Sequence, residues 1–183
     1  MPLDWTEVIA IATVFSGFAV VGSALLVLAQ LRRQAQELFV SGTASLFEIW
    51  VDDDFQRAVQ WVLYGLSERS WRQFVEAHRG EYGERAFTRV GSYFNRIGYL
   101  VTHRLLGNED RLLLDTVAGD AIAVWQKIEP LVLEARLIDN STIFQDYQRM
   151  LPECYECYVP TQPVPDRIRR GAKQATDLSA DRK

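Results

Sequence analysis

From Val8 to Leu31 the chain carries no charged side chain, although about a quarter of its residues are Asp, Glu, Lys or Arg. The run holds roughly 24 residues, and as a helix rising about 1.5 Å per residue it is about 36 Å long. A bilayer hydrocarbon core about 30 Å thick requires roughly 20 apolar residues, so the run predicts a transmembrane helix over 8–31. A cleaved secretory signal would need a basic leader and an apolar stretch of roughly 7–15 residues, whereas "MPLDWTE" is acidic. A helix apolar on all sides also fits the interior of a large soluble protein, which 183 residues rarely enclose.

The flanks set an orientation. Asp4 and Glu7 precede the run, and Arg32 and Arg33 follow it directly. Because positive charge stays inside, residues 1–7 are expected outside, with Trp5 at the outer interface, and 32–183 in the cytoplasm. The two cysteines would then be reduced thiols. The net charge of −4 hides an asymmetry: Val159 to Lys183 carries six Lys/Arg against three Asp, which leaves about −7 for the rest. An acidic body of that kind excludes non-specific nucleic-acid binding.

The remaining 150 or so residues suit one folded domain. Four places have the capping-box spacing that starts helices: Asp4/Glu7, Asp53/Gln56, Ser70/Gln73 and Thr142/Gln145. Leu31, Ala35, Leu38, Gly42, Ser45 and Ile49 continue the first helix past Arg33, so one rod is expected from about Trp5 to Val51. Phe55, Val59, Leu63 and Leu66 predict a short helix, and Trp71, Phe74 and Val75 begin another ending near Gly80. Phe87, Val90, Phe94, Ile97, Val101 and Leu105 form a clear apolar stripe, expected to stop at Gly107 with Asn108 capping the next helix. Leu114, Val117, Ala121, Trp125, Ile128 and Val132 mark that helix, with Pro130 as a kink, and Ile143, Tyr147, Met150 and Cys154 mark the last. No segment alternates as a strand does. The expected class is all-α: a transmembrane helix extended into the cytoplasm, then an antiparallel helical bundle over 32–158. Residues 159–183, with prolines and few large apolar side chains, read as an extended basic tail.

The stretch "FNRIGYLVTHRLLGNEDRLLLDTVAGDAIAVWQKIEPLV", with "DDDFQRAVQWVLYG" before it, resembles an uncharacterised family of bacterial membrane-anchored helical proteins, a domain of unknown function. The resemblance covers roughly Leu31 to Tyr158 and rests on apolar spacing, Trp125 and the Glu129–Pro130 pair. It implies the anchor, the helical fold and a bacterial inner membrane, and it implies no catalytic residue.

Cys154-x-x-Cys157 is the sharpest local motif, with the spacing of a redox disulfide or of half a zinc site. A second cysteine pair is lacking, and the two histidines, His78 and His103, are far away in sequence, so the thiols read as structural. Asp52, Asp53 and Asp54 lack the glycine and distal glutamate of a calcium loop and read as helix capping. Asp115 and Asp120, five apart, are not expected to share a helix face. "RIRRGAK" offers four cations without an apolar face, a modest lipid contact.

No catalytic, cofactor-binding or metal set assembles. The expectation is a non-catalytic accessory or scaffolding subunit that binds an integral membrane partner or a second copy of itself. The binding residues within the bilayer would be Ala12, Ser16, Ala19 and Ser23, a small face at spacings of four, three and four. The alternatives are a membrane-tethered redox or metal-dependent enzyme using Cys154 and Cys157, or a signalling adaptor.

Overall fold

The computed structural model describes residues 23, 26–30, 44–105, 110–139, 142–159 and 163–180. They divide into two units, 1–48 and 49–183. In the first, residues 23, 26–30 and 44–48 are helical. No helix among the described residues is long and apolar enough to cross a membrane. Most of the uncharged run lies outside them, Ala12, Ser16 and Ala19 included, while Ser23 is helical and exposed.

Helix α1 (44–51) straddles the boundary between the units. The second unit continues with α2 (Asp53–Gln60), a π-helical turn (Trp61–Gly65), α3 (Trp71–His78), α4 (Tyr82–Thr102), α5 (Asp110–Asp139), α6 (Gln145–Tyr158) and α7 (Asp166–Ala180). No strand occurs among the described residues, and the class is all-α. Helix α6 is the hub, packing on α4, α5 and α7. The apolar stripes fill the core as their spacing requires: Phe87, Val90, Phe94, Ile97 and Val101 from α4, and Leu114, Val117, Ala121, Trp125, Ile128 and Val132 from α5, are all buried. Phe94 and Trp125 both pack on the ring of Tyr147, each with centroids 5.0 Å apart.

The start of α6 is held from outside its own sequence. Asn95 on α4 places Oδ1 where it accepts from the Asp146 N–H at 3.0 Å and the Tyr147 N–H at 3.1 Å, two of the donors that a helix N-terminus leaves unpaired. On the same face of α4, four residues before and three after Asn95, Gly91 and Gly98 allow the approach. A Cβ at Gly91 would enter the ring of Phe144, and one at Gly98 would strike the backbone of Asp146. Phe144 itself adopts the left-handed conformation (φ 53°), which turns the chain into α6 and buries its ring against Phe87. From α5, Arg136 donates to the Ile143 carbonyl through Nε (3.0 Å) and Nη2 (2.8 Å), and to Gln148 Oε1 at 2.5 Å. Burial lowers its pKa to about 10, so it stays protonated at neutral pH.

Cross-helix capping also serves α3. Ser70 makes no cap bond to the helix it precedes; Glu134 of α5 accepts from the Trp71 N–H at 2.7 Å and from the Ser70 hydroxyl at 3.2 Å. The Thr142/Gln145 box is likewise not used, since the Gln145 side chain donates to the Ala175 carbonyl on α7. For α2 the cap is Asp52 rather than Asp53: Asp52 Oδ1 accepts from the Phe55 N–H at 2.8 Å.

The segment expected to be an extended tail forms α7. Val164, Ile168 and Ala175 are buried, at spacings that place them with Gly171 on one face, and Gly171 lies close against Gln148 of α6. Small and medium side chains thus bury a narrow stripe, while Gln145 and Arg149 grip backbone carbonyls of α7; Arg149 Nη2 is 2.8 Å from the Ala175 oxygen. Helix α4 also ends earlier than expected, at Thr102. Arg104 takes the left-handed role (φ 52°) that the sequence reading assigns to Gly107, and Leu105 beyond it is exposed. Helix α5 runs on through Pro130 to Asp139.

Asn95→Ala removes the acceptor for two buried-end donors and should destabilise the second unit by about 1–2 kcal/mol. Gly98→Val forces α6 off α4 and should cost at least about 1–3 kcal/mol. Urea unfolding followed by circular dichroism measures both, with the exposed-face change Arg96→Gln expected to be neutral.

Candidate functional site

A concavity of the second unit opens where the π turn, the middle of α5 and the end of α6 meet. Its volume is about 700 Å³, and Tyr64, Tyr158, Asp115, Asp120, Gln126 and Lys127 supply its chemistry.

The π turn builds one wall. Its wider winding lets the Leu66 N–H reach the Trp61 carbonyl at 3.0 Å, and Gly65 sits against the Trp61 indole, where a Cβ would lie 3.0 Å from Cδ1. Phe55, Val59, Val62 and Leu66, spaced four, three and four apart, are buried, while Leu63 beside them lines the groove. Tyr64, on the side away from that face, is 84% exposed. The opposite wall is α5. Gly119 lies flat against the ring of Tyr158, which is 63% exposed at the end of α6. Asp115 and Asp120, expected on different faces, both line the groove, because it is broad enough to take in more than one face of α5. Partial burial raises the Asp120 carboxyl above the usual range. Gln126 donates to the Tyr155 hydroxyl at 3.3 Å, and beneath the groove the buried Tyr147 hydroxyl donates to the Ala121 carbonyl at 2.6 Å.

Two exposed phenols, an amide, two carboxylates and an ammonium around an open groove are the equipment of recognition. Tyrosine in particular offers an apolar face and a polar tip, the combination that protein contacts use.

The other candidates do not join this groove. Cys154 is fully buried and Cys157 half-buried on α6, and the two are not bonded to each other. Burial, with the nearby charges of Cys157 and Glu153, pushes the Cys154 thiol far up, the opposite of what a nucleophile or redox thiol requires. Among the described residues no group of three His, Cys, Asp or Glu side chains is placed to hold a metal. His78 packs on Trp61 and Phe74 with Nε2 3.3 Å from Glu68 Oε1, and His103 is exposed beside Tyr99 at the end of α4. Of the acidic triplet, Asp52 caps and Asp54 pairs with Arg57. Tyr64 and Tyr158 carried no sequence signal as a pair, since 94 residues and a π turn separate them.

No family model, curated protein or solved structure matches the chain.

Cys154 and Tyr147 both hold their protons more tightly folded than unfolded, through burial. Their stabilisation is therefore complete below the ordinary values of 9.0 and 10.0, and is lost as pH rises through and beyond them. The urea midpoint should stay level from neutral pH to about 9 and then fall. A thiol reagent at neutral pH should label Cys157 first and Cys154 only after urea is added.

Proposed function

We propose that this protein is a membrane-anchored, non-catalytic accessory or scaffolding subunit. The uncharged run 8–31 is its single transmembrane helix, the N-terminus lies outside and the helical domain lies in the cytoplasm. The bacterial inner membrane as its location follows from the family resemblance. The observation that carries the reading is the exposure of Leu26, Val27 and Leu28. They are helical, consecutive and apolar, yet 66%, 52% and 54% exposed, so lipid or a partner helix is what would cover them.

The partner is an integral membrane protein or a second copy of the chain. Within the bilayer, where no hydrophobic effect favours helix on helix, the small face of Ala12, Ser16, Ala19 and Ser23 permits close van der Waals approach. In the cytoplasm the tyrosine groove is the second contact, and no cofactor takes part. The raised Cys154 thiol argues against the redox alternative.

Ala19→Phe or Ser16→Leu should release the partner, or dissociate a homodimer, during purification in mild detergent, whereas Val21→Phe should not. Equal tolerance of bulk on both faces would reduce the helix to a tether. A reporter fused after Lys183 should behave as cytoplasmic, and its export would overturn the orientation.

A further inference from the structure

A second depression, of about 400 Å³, lies between α2 and α4; three arginines, Arg57, Arg85 and Arg89, line it together with one carboxylate, Asp54. We propose that it binds a phosphate group.

The packing of the two helices creates the space. Ala58 of α2 and Ala86 of α4 meet at its floor, both only 2% exposed, and methyl side chains on both helices leave a hollow above them. Arg85 and Arg89, one helical turn apart on α4, rise on one side, Arg57 of α2 faces them, and the half-exposed Tyr82 ring closes one end. Two of the three guanidiniums are held before any ligand arrives. Arg89 donates to Asp52 Oδ1 at 3.0 Å and lies 5.9 Å from the centroid of the Phe55 ring. Arg57 Nε donates to the Asp53 carbonyl at 3.3 Å while Nη2 pairs with Asp54. Arg85 has a single long contact among the described residues, 3.4 Å to the Gly80 carbonyl, and no carboxylate partner.

Two of the three positive charges are therefore countered and one is not. The countering pairs are weak ones: the side chains of Arg57 and Asp54 are 69% and 67% exposed and those of Arg89 and Asp52 48% and 44%, and ion pairs so open to water contribute little. A phosphate dianion that engages the planar, two-pronged donors of guanidinium gains stronger charge-assisted bonds than it displaces. Asp52 can stay in place as the α2 cap, since each guanidinium has five donors to share. The acidic surroundings of the body repel a polyanion, so the ligand is one phosphate group on a small molecule or a lipid headgroup rather than a nucleic-acid backbone. This site does not depend on the anchor or on the tyrosine groove.

The test is titration of the full chain, in mild detergent, with inorganic phosphate by calorimetry. Saturable binding that weakens with added salt is expected. Arg85→Gln should weaken it about tenfold or more, the loss of a charge-assisted bond, while Arg72→Gln, outside the depression, should not. Arg57→Gln is the second variant, and unchanged helicity and thermal midpoint accompany each. Absence of saturable binding in the wild type, or equal binding by Arg85→Gln and Arg72→Gln, overturns the proposal. Repeating the titration in lipid discs identifies the source. Binding blocked in phosphatidate discs but retained in phosphatidylcholine discs assigns the site to a lipid headgroup, and equal binding in both assigns it to a soluble phosphate compound.

Discussion

The carboxamide of Asn95 beneath the first turn of α6 is the contact on which the helical bundle depends. A helix that starts with unpaired N–H groups inside a protein is costly, and α6 begins with a left-handed phenylalanine that offers no side-chain acceptor. Asn95 supplies the acceptor, and the glycines on either side let the two backbones come close enough for it to reach. The consequences spread from there. Tyr147, the residue after Asp146, enters the core between Phe94 and Trp125, and Gln148 and Arg149 follow in register to meet Arg136 and α7. A shift at this junction would misplace most of the groups that bind the last four helices together.

Much of this fold could be read from periodicity alone, because the stripes of α4 and α5 are long and regular and nearly all their apolar members are buried. Capping was harder to read, for a physical reason. The local boxes at Ser70 and Thr142 are spacing patterns, but Glu134 and Asn95 deliver stronger partners from another helix, and a pattern within one segment carries no information about what packs against it. Helix α7 escaped for a related reason. Its buried side chains are Ile168 and Ala175, with Val164 just before it, too few and small to stand out, and much of its attachment is to main-chain carbonyls that any sequence provides.

The grooves were less legible than the fold. The tyrosine groove requires Tyr64 and Tyr158 to meet across α5, and the arginine depression requires Ala58 and Ala86 to coincide on facing helices; both are products of packing. The spacing of Arg85 and Arg89 is visible in the sequence, but that Arg85 forms no ion pair among the described residues is not. Conversely, Cys154 and Cys157 carry the most conspicuous motif in the chain and lie where the structure gives them least chemistry to do.

The π turn at Trp61–Gly65 has a consequence for descent. It holds one residue more than an α-helical turn would need, and it closes with the Leu66 N–H on the Trp61 carbonyl while Val62 and Leu66 stay in the core. A chain one residue shorter there could close into ordinary α-helix, but Leu66 and the lead into α3 would be drawn back with it. Descent would therefore tolerate a deletion in this single turn only with a compensating change in the loop before α3.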